Sequence, residues 1–448
     1  MRDSVIKIVR RASNKGRKIF RIYLTFIAFL ICIIFIWGLT NVKRELSIDD
    51  KIIQRFEYSN PREYLESKDA ICGLDITQYK IDLRGIFEQC GEYFYRFNDG
   101  KVARLTLNKS IQEILKNRLN TYKLPFAGAV IMDAQSGRIL GIYESKGQNN
   151  HYSLGKTYKS ASIFKIITME AILSDSKINT LDKVCYHGGR RRLNRNLLID
   201  NPKKDHRCME IDKALGYSAN VIFARLAYRY LDRDTLVRHS LLFGFDERLP
   251  VEFDTETSNV DIPDNREELA YTAAGFGETY ISVLHGAVIA SIIANKGMYI
   301  KPSIIEDIRD LNDNILYSHS TFEVRRVMKE DVAIKLGDMM RYTVTEGTAH
   351  KFFARRKPVD FIGQVPVAGK TGSLADRNGE YTEYNWFVGF APSSSPRYVI
   401  SVLTINSENI SARAVLFARK ILDDIFTQDK PQKSIVKSIS RSRYLSKR

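Results

Sequence analysis

The stretch Ser160-Ala161-Ser162-Ile163-Phe164-Lys165, continued by Ile166-Ile167-Thr168-Met169-Glu170-Ala171-Ile172-Leu173, sets a serine and a lysine three positions apart at the opening of an apolar helix. That spacing puts both side chains on one helix face. A serine at a helix N-terminus gains from the positive end of the dipole as it becomes an alkoxide. The lysine can take the serine's proton, provided burial or a nearby cation lowers its pKa. Ser162 and Lys165 therefore read as a nucleophile–base pair that needs no histidine. The spacing alone is weak evidence, because Ser4/Lys7, Ser174/Lys177 and Ser434/Lys437 share it.

The surroundings of this helix define the fold class. Upstream, Asn108 can cap a helix with Ile111, Ile114, Leu115 and Leu119 on one face. Ala127–Asp133 and Arg138–Glu144, joined by Gln135-Ser136-Gly137, predict a β-hairpin. From about Ser160 to Ala294 the pattern is mainly helical, with a second strongly apolar run, VIFARLAYRYL, after Asn220. Strands return at Gln364–Ser373, Asn385–Pro392 and Arg397–Ile405, and a last helix follows at Ala412–Phe426. Strands at both ends with helices between them predict one sheet assembled from both termini and packed on helices, an α+β architecture.

At 448 residues the chain exceeds one ordinary domain of ~100–200 residues. With 44% hydrophobic and 27% charged residues it is neither disordered, collagen-like nor a small disulfide scaffold. The net charge is +17, but residues 1–21 carry +7 and residues 430–448 another +7, which leaves +3 for the body. A nucleic-acid protein needs its basic stripe on the folded body, so no nucleic-acid partner is expected.

Residues 22–42, IYLTFIAFLICIIFIWGLTNV, form an uncharged run of 21 residues. About 20 apolar residues suffice to cross a ~30 Å hydrocarbon layer. The basic residues before it predict a cytoplasmic N-terminus and an external body. The run is longer than a signal-peptide core and ends in no small-residue cleavage site, so a retained anchor is expected. Residues 43–104 are expected to form a small membrane-proximal module, residues 105–427 the main domain, and residues 428–448 a basic tail. Cys32 falls in the anchor, and the other cysteines form two local pairs, Cys72 with Cys90 and Cys185 with Cys208. Such pairs commonly become disulfides in an oxidising compartment, although four cysteines allow three connectivities. Neither C-x-x-C nor HExxH occurs, so zinc is not expected. Arg190, Arg191, Arg192 and Arg195, inside the second pair, read as a solvated loop.

Two further motifs matter. Ser218-Ala219-Asn220 stands at the mouth of the second apolar helix, where a hydroxyl and an amide could relay a proton and hold a peptide amide. An N-cap serine explains it equally well, and Ser407-Glu408-Asn409 matches the same pattern. Lys370-Thr371-Gly372-Ser373 ends a predicted strand. Gly372 removes a side chain, so a substrate backbone could pair with the strand. Lys370, Thr371 and Ser373 could receive a carboxylate, and Lys370 beside Lys165 would depress that lysine's pKa.

Ser-x-x-Lys on a helix, Ser-x-Asn 56 residues later and Lys-Thr-Gly on a late strand form, in that order, the signature of penicillin-binding proteins and serine β-lactamases. Residues 105–427 resemble the transpeptidase domain of penicillin-binding proteins. LTLNKSIQ (105–112), AGAVIMDAQSGRILGI (127–142), AAGFGETYISVLHGAVIASIIANKGMYIKP (273–302), VTEGTA (344–349) and WFVGFAP (386–392) are similar to further segments of that family. Ser160-Ala161 stands where the family often has Pro-Gly or Pro-Ala.

The resemblance implies an antiparallel five-stranded sheet flanked by helices with an all-helical subdomain. It implies Ser162 as acylated nucleophile, Lys165 as its base, Ser218 and Asn220 in proton transfer and substrate holding, and Lys370, Thr371, Gly372 and Ser373 around the substrate carboxylate. Backbone N–H groups of Ser162 and Ser373 would form the oxyanion hole. The implied substrates are peptidoglycan stem peptides ending in D-alanyl-D-alanine, with β-lactams as inhibitors and no cofactor. Glycosyltransferase or other cell-wall machinery is the implied partner, at the outer face of the cytoplasmic membrane. A D,D-carboxypeptidase and a β-lactamase use the same residues, but no glutamate after Ser218 has the context of a β-lactamase deacylation base. A sensor would need a cytoplasmic signalling domain, for which about 21 residues leave no room.

Overall fold

The computed structural model describes residues 76–145, 153–175, 178–354, 362–376 and 381–429. The chain divides into two units, Met1–Ile71 and Cys72–Arg448, and the described residues all belong to the second. The expected anchor at 22–42, the basic segment before it, Cys72 and the tail from residue 430 lie outside them. Among the described residues, no helix is long and apolar enough to cross a membrane.

The hairpin forms as Phe126–Asp133 (β1) and Ile139–Glu144 (β2). Ala368–Asp376 (β3), Thr382–Ala391 (β4) and Tyr398–Asn406 (β5) complete an antiparallel five-stranded sheet in the order β3-β4-β5-β1-β2. The early hairpin thus closes onto the last strand, Ile400 opposite Ile131. Side chains of β1 alternate between two apolar layers. Val130 and Met132 join one, and Ala127, Ala129 and Ile131 join the other. A strand covered on both faces reads as a continuous apolar run, as AGAVIM does.

Lys109–Leu119 (α1) covers one face, with Asn108 accepting a capping hydrogen bond from Ile111 N at 3.1 Å. The other face carries Val283–Ala294 (α4) and Glu330–Thr345 (α5); Lys165–Asp175 (α2) packs on α5, and Asn220–Tyr230 (α3) on α2, in the same apolar core. Ala414–Gln428 (α6) packs beside α1 through Phe417, Ile421 and Ile425. The result is an α+β sandwich with the sheet in the middle layer.

Three local differences from the sequence expectation have plain causes. β3 starts at Ala368, not Gln364, because Ile362–Gln364 form a 3₁₀ turn and Pro366 has no N–H for a ladder. The helical middle holds a short hairpin, Lys183–Tyr186 with Arg207–Glu210, whose facing cysteines Cys185 and Cys208 form a disulfide. Cys90 is exposed. Finally, strands at 87–89, 92–96 and 102–105 join strands Ile305–Arg309 and Ile315–Ser318 in a second five-stranded sheet. From Phe87 onward, the stretch before residue 105 is therefore built into one sheet with residues far downstream.

A three-stranded sheet flanks the start of α2: Thr157–Lys159 pairs with Thr279–Ser282, which pairs with Asn259–Val260. Helix Arg266–Ala273 is capped by Ala274 just before this sheet, and Gly275 follows at φ +86°. A Cβ on Gly275 would lie 2.4 Å from the Ala161 carbonyl oxygen and 3.0 Å from Ser162 N. Glycine is required here twice, for its dihedral and for this backbone approach. Gly189 has a similar φ, +92°, but open space around its missing Cβ. Gly189→Ala is therefore expected to cost about 1–2 kcal/mol of unfolding free energy. Gly275→Ala should cost at least about 2 kcal/mol more, from overpacking against backbone. Denaturant unfolding of both variants checks the difference; equal costs would contradict it.

Candidate active site

The nucleophile candidate stands in a turn, not in the helix. Ala161–Ile163 form one 3₁₀ turn, and α2 begins at Lys165. Ala161 adopts φ +49°, a left-handed backbone that L-residues rarely use. The turn is pinned on several sides. Ser160 N donates to Thr279 O at 2.8 Å, and the Ser160 and Thr279 hydroxyls meet at 2.5 Å, both fully buried. Trp386 Nε1 donates to Lys159 O at 2.9 Å. From β3, Gly372 presses on the turn: an added Cβ would sit 3.3 Å from both Ser160 O and Ile163 Cγ1. The bare face of Gly372 thus makes room for the turn that presents Ser162, where the sequence suggested room for a substrate.

Lys165 is fully buried, while Ser162 is half-buried. Lys165 Nζ lies 2.8 Å from Ser162 Oγ and 2.8 Å from Asn220 Oδ1, and it also reaches Ala274 O. Asn220 Nδ2 donates to Arg191 O at 2.6 Å, which fixes the amide so that its oxygen faces the lysine. Two of the three partners are therefore acceptors only, and the third is a hydroxyl that can donate. A neutral amine fits this set: two N–H bonds to Asn220 and Ala274, and a lone pair for the Ser162 proton. Burial, and then repulsion from the Lys370 ammonium, hold Lys165 well below the usual lysine range.

Lys370, also fully buried, sets its Nζ 3.0 Å from Ser218 Oγ and 2.7 Å from Thr371 O. Burial lowers it to about 7. Ser218 is no N-cap: Ala219 holds that position, and Ser218 adopts φ +51° in the turn before α3. Among the described residues, neither amine has a carboxylate partner.

All three motifs therefore converge. The half-exposed Ser162, Ser218 and Asn220 stand in one cluster with the two buried amines, Lys165 against Ser162 and Asn220 and Lys370 against Ser218. Thr371 and Ser373 follow Lys370 on β3, half-buried and exposed respectively. Ser373 Oγ donates to Asn385 Oδ1 at 2.8 Å, and Thr371 Oγ1 meets Thr348 Oγ1 at 2.5 Å. Sequence reasoning assigned no role to Thr348, to the Ala274 carbonyl or to the Arg191 carbonyl. Thr348 lies in VTEGTA and Ala274 in AAGFGE, so the segments were visible but their contacts are tertiary. The arrangement can activate a serine without histidine or metal ligands and can deliver a proton from a second serine backed by a second lysine.

The family model described as penicillin binding protein transpeptidase domain matches residues 127–426. The chain is 24% identical over 359 residues to Stage V sporulation protein D of Bacillus subtilis, covering 75% of this chain and 54% of that protein. It is 26% identical over 367 residues to penicillin-binding protein 3 of Bacillus subtilis, covering 72% and 51%. The chain thus spans about half the length of the curated relatives it matches. Among solved structures, the D,D-transpeptidase domain of a peptidoglycan glycosyltransferase from Eggerthella lenta superposes with a TM-score of 0.61 at 23% identity, covering 74% of this chain and 84% of that one. The ceftriaxone acyl-enzyme complex of penicillin-binding protein A from Mycobacterium tuberculosis gives 0.61 at 20% identity, covering 74% and 80%. With the motif order, the sheet and the clustered side chains all in place, this chain belongs to the penicillin-binding protein transpeptidase domain family.

Proposed function

We propose that the chain is a serine D,D-transpeptidase that cross-links peptidoglycan stem peptides and is acylated by β-lactams at the same serine. The observation that carries this reading is the joint placement of Lys165 Nζ on Ser162 Oγ and of Lys370 Nζ on Ser218 Oγ. The Lys165 lone pair takes the Ser162 proton as Oγ attacks the carbonyl of the penultimate D-alanine. The oxyanion forms against the backbone N–H groups of Ser162 and Ser373, each such donor being worth ~2.7–4 kcal/mol in acyl-transfer sites. Collapse breaks the C–N bond. Ser218 passes its proton to the departing D-alanine amine and is reprotonated through Lys370. An acceptor amine then attacks the Ser162 ester, giving up its proton through Ser218 to Lys370, while Lys165 returns its proton to Ser162 Oγ as the C–O bond breaks, leaving a new amide cross-link. Thr371 and Ser373 hold the terminal carboxylate of the donor peptide, and Asn220 holds its backbone.

The anchor at residues 22–42 and the preceding basic segment support a place on the cytoplasmic membrane with the catalytic unit outside. The Cys185–Cys208 disulfide is in keeping with that oxidising side. Class A β-lactamases hydrolyse the ester with a positioned glutamate, and among the described residues no carboxylate contacts either amine.

Fluorescent penicillin is expected to label the wild type and not Ser162→Ala. Given a D-alanyl-D-alanine stem peptide and an amine acceptor, the wild type should release D-alanine and form the amide product by mass spectrometry. Equal labelling of Ser162→Ala, or hydrolysis product alone, would contradict the proposal. A second expectation concerns pH. Lys370→Gln keeps a polar partner for Ser218 but removes the cation, so Lys165 holds its proton to higher pH. The acidic limb of penicillin acylation should move to higher pH in this variant, most clearly below about 7, where Lys370 is charged. An unmoved limb would show that Lys370 does not tune the base.

A further inference from the structure

The disulfide-closed loop, residues 186–207, forms one wall beside the catalytic amide. Arg191 O accepts from Asn220 Nδ2 at 2.6 Å, and Arg190 O accepts from Val221 N at 3.3 Å. The Arg190 guanidinium lies 4.8 Å from the ring centre of Tyr217, the residue before Ser218. The loop is held firmly. The Cys185–Cys208 bridge closes its base. The fully buried Arg225 donates to Cys185 O at 2.6 Å, Leu197 O at 2.6 Å and Asp205 Oδ2 at 2.8 Å. His187 adds a 2.5 Å contact to the same aspartate.

The charge pairing in this region is uneven. Arg225 pairs with Asp200 and Asp205, Arg229 with Asp200, and Arg195 with Glu267. Those carboxylates are thereby taken up, and Glu346 accepts from the Tyr217 hydroxyl at 3.4 Å. Arg190, Arg191 and Arg192 have no carboxylate partner among the described residues, and the last two are exposed. Nor do they tune the base, since Lys165 is lowered by burial and Lys370. Three like charges held together on a stapled loop, within two residues of the contacts to Asn220 and Val221, raise the local affinity for anions. Guanidinium forks match carboxylates in two-point hydrogen bonding.

We propose that Arg190, Arg191 and Arg192 form an anion-recognition rim that engages a carboxylate carried by the acyl-donor peptide away from its reacting terminus. The identity of that peptide rests on the transpeptidase reading above. The rim selects acidic donor peptides over neutral ones, and it does so without touching the reacting atoms. Because Arg191 and Arg192 are exposed and Arg190 is only half-buried, the selection is modest and falls with salt.

The test uses the full chain in detergent and two peptides ending in D-alanyl-D-alanine. They differ only in whether the side chain before that pair ends in a carboxylate or its amide. Acyl-enzyme formation is followed by mass spectrometry on the wild type, and binding by fluorescence anisotropy on Ser162→Ala. Both are repeated with Arg190→Gln/Arg192→Gln, checked for folding by its thermal midpoint, and with the charge-keeping Arg190→Lys/Arg192→Lys. The expected result is a roughly three- to tenfold preference for the carboxylate peptide. It should shrink at high salt, approach unity in the glutamine variant and stay intermediate in the lysine variant. Equal handling of both peptides by the unmodified rim, or a preference that survives the glutamine changes, would overturn the proposal. If the transpeptidase reading itself fails, neither peptide acylates the wild type, while the binding preference on Ser162→Ala still decides the rim.

Discussion

A lysine amine with no access to water and, among the described residues, no carboxylate to pair with is the constraint on which the site depends. Lys165 Nζ touches Ser162 Oγ, Asn220 Oδ1 and Ala274 O, and it sits 5.6 Å from the ring centre of Phe223. An isolated charge is costly in such surroundings, so the group sheds its proton and becomes a base. Each partner comes from a different part of the chain: the nucleophile turn, the start of α3 and the cap of helix Arg266–Ala273. The site is thus assembled only when the fold is complete. Gly275 and Gly372 are two of the places where backbone must come close enough to allow it.

The arrangement opposes folding while it serves chemistry. Lys165 and Lys370 both release protons more easily in the folded chain than in the unfolded one. The unfolded state therefore binds more protons, and these two groups make stability rise with pH between their depressed values and the ordinary lysine value of 10.5. The offset comes from apolar layers on both faces of the sheet. Residues such as Ile131, Val130, Val402 and Leu403 are wholly buried there. A large core can carry two unpaired buried amines, whereas a small one would not.

Much of this was legible in the chain. The motif order singled out Ser162, Lys165, Ser218, Asn220, Lys370 and Thr371, and the apolar run of β1 and the capped α1 announced the sheet and its cover. What sequence could not show is tertiary. The left-handed turns at Ala161 and Ser218 carry no local signal, because neither residue is glycine. The pressing of Gly372 on the nucleophile turn, instead of on a substrate, depends on how an edge strand meets a helix start. The hairpin closed by Cys185 and Cys208 hid inside a region of helical pattern. Its arginines looked like a solvated loop until the Arg190 and Arg191 carbonyls were seen to meet Val221 and Asn220.

The most direct test of the central claim is the protonation state of Lys165 itself. Side-chain nitrogen NMR of lysine-labelled protein, with Lys165 assigned by its loss in Lys165→Arg, can be followed from pH 5 to pH 11. The expected result is an amine resonance that turns neutral well below the ordinary lysine value of 10.5, in a protein that penicillin still acylates. A resonance that stays ammonium-like until the ordinary lysine range would contradict the account, because a charged lysine has no lone pair to offer Ser162.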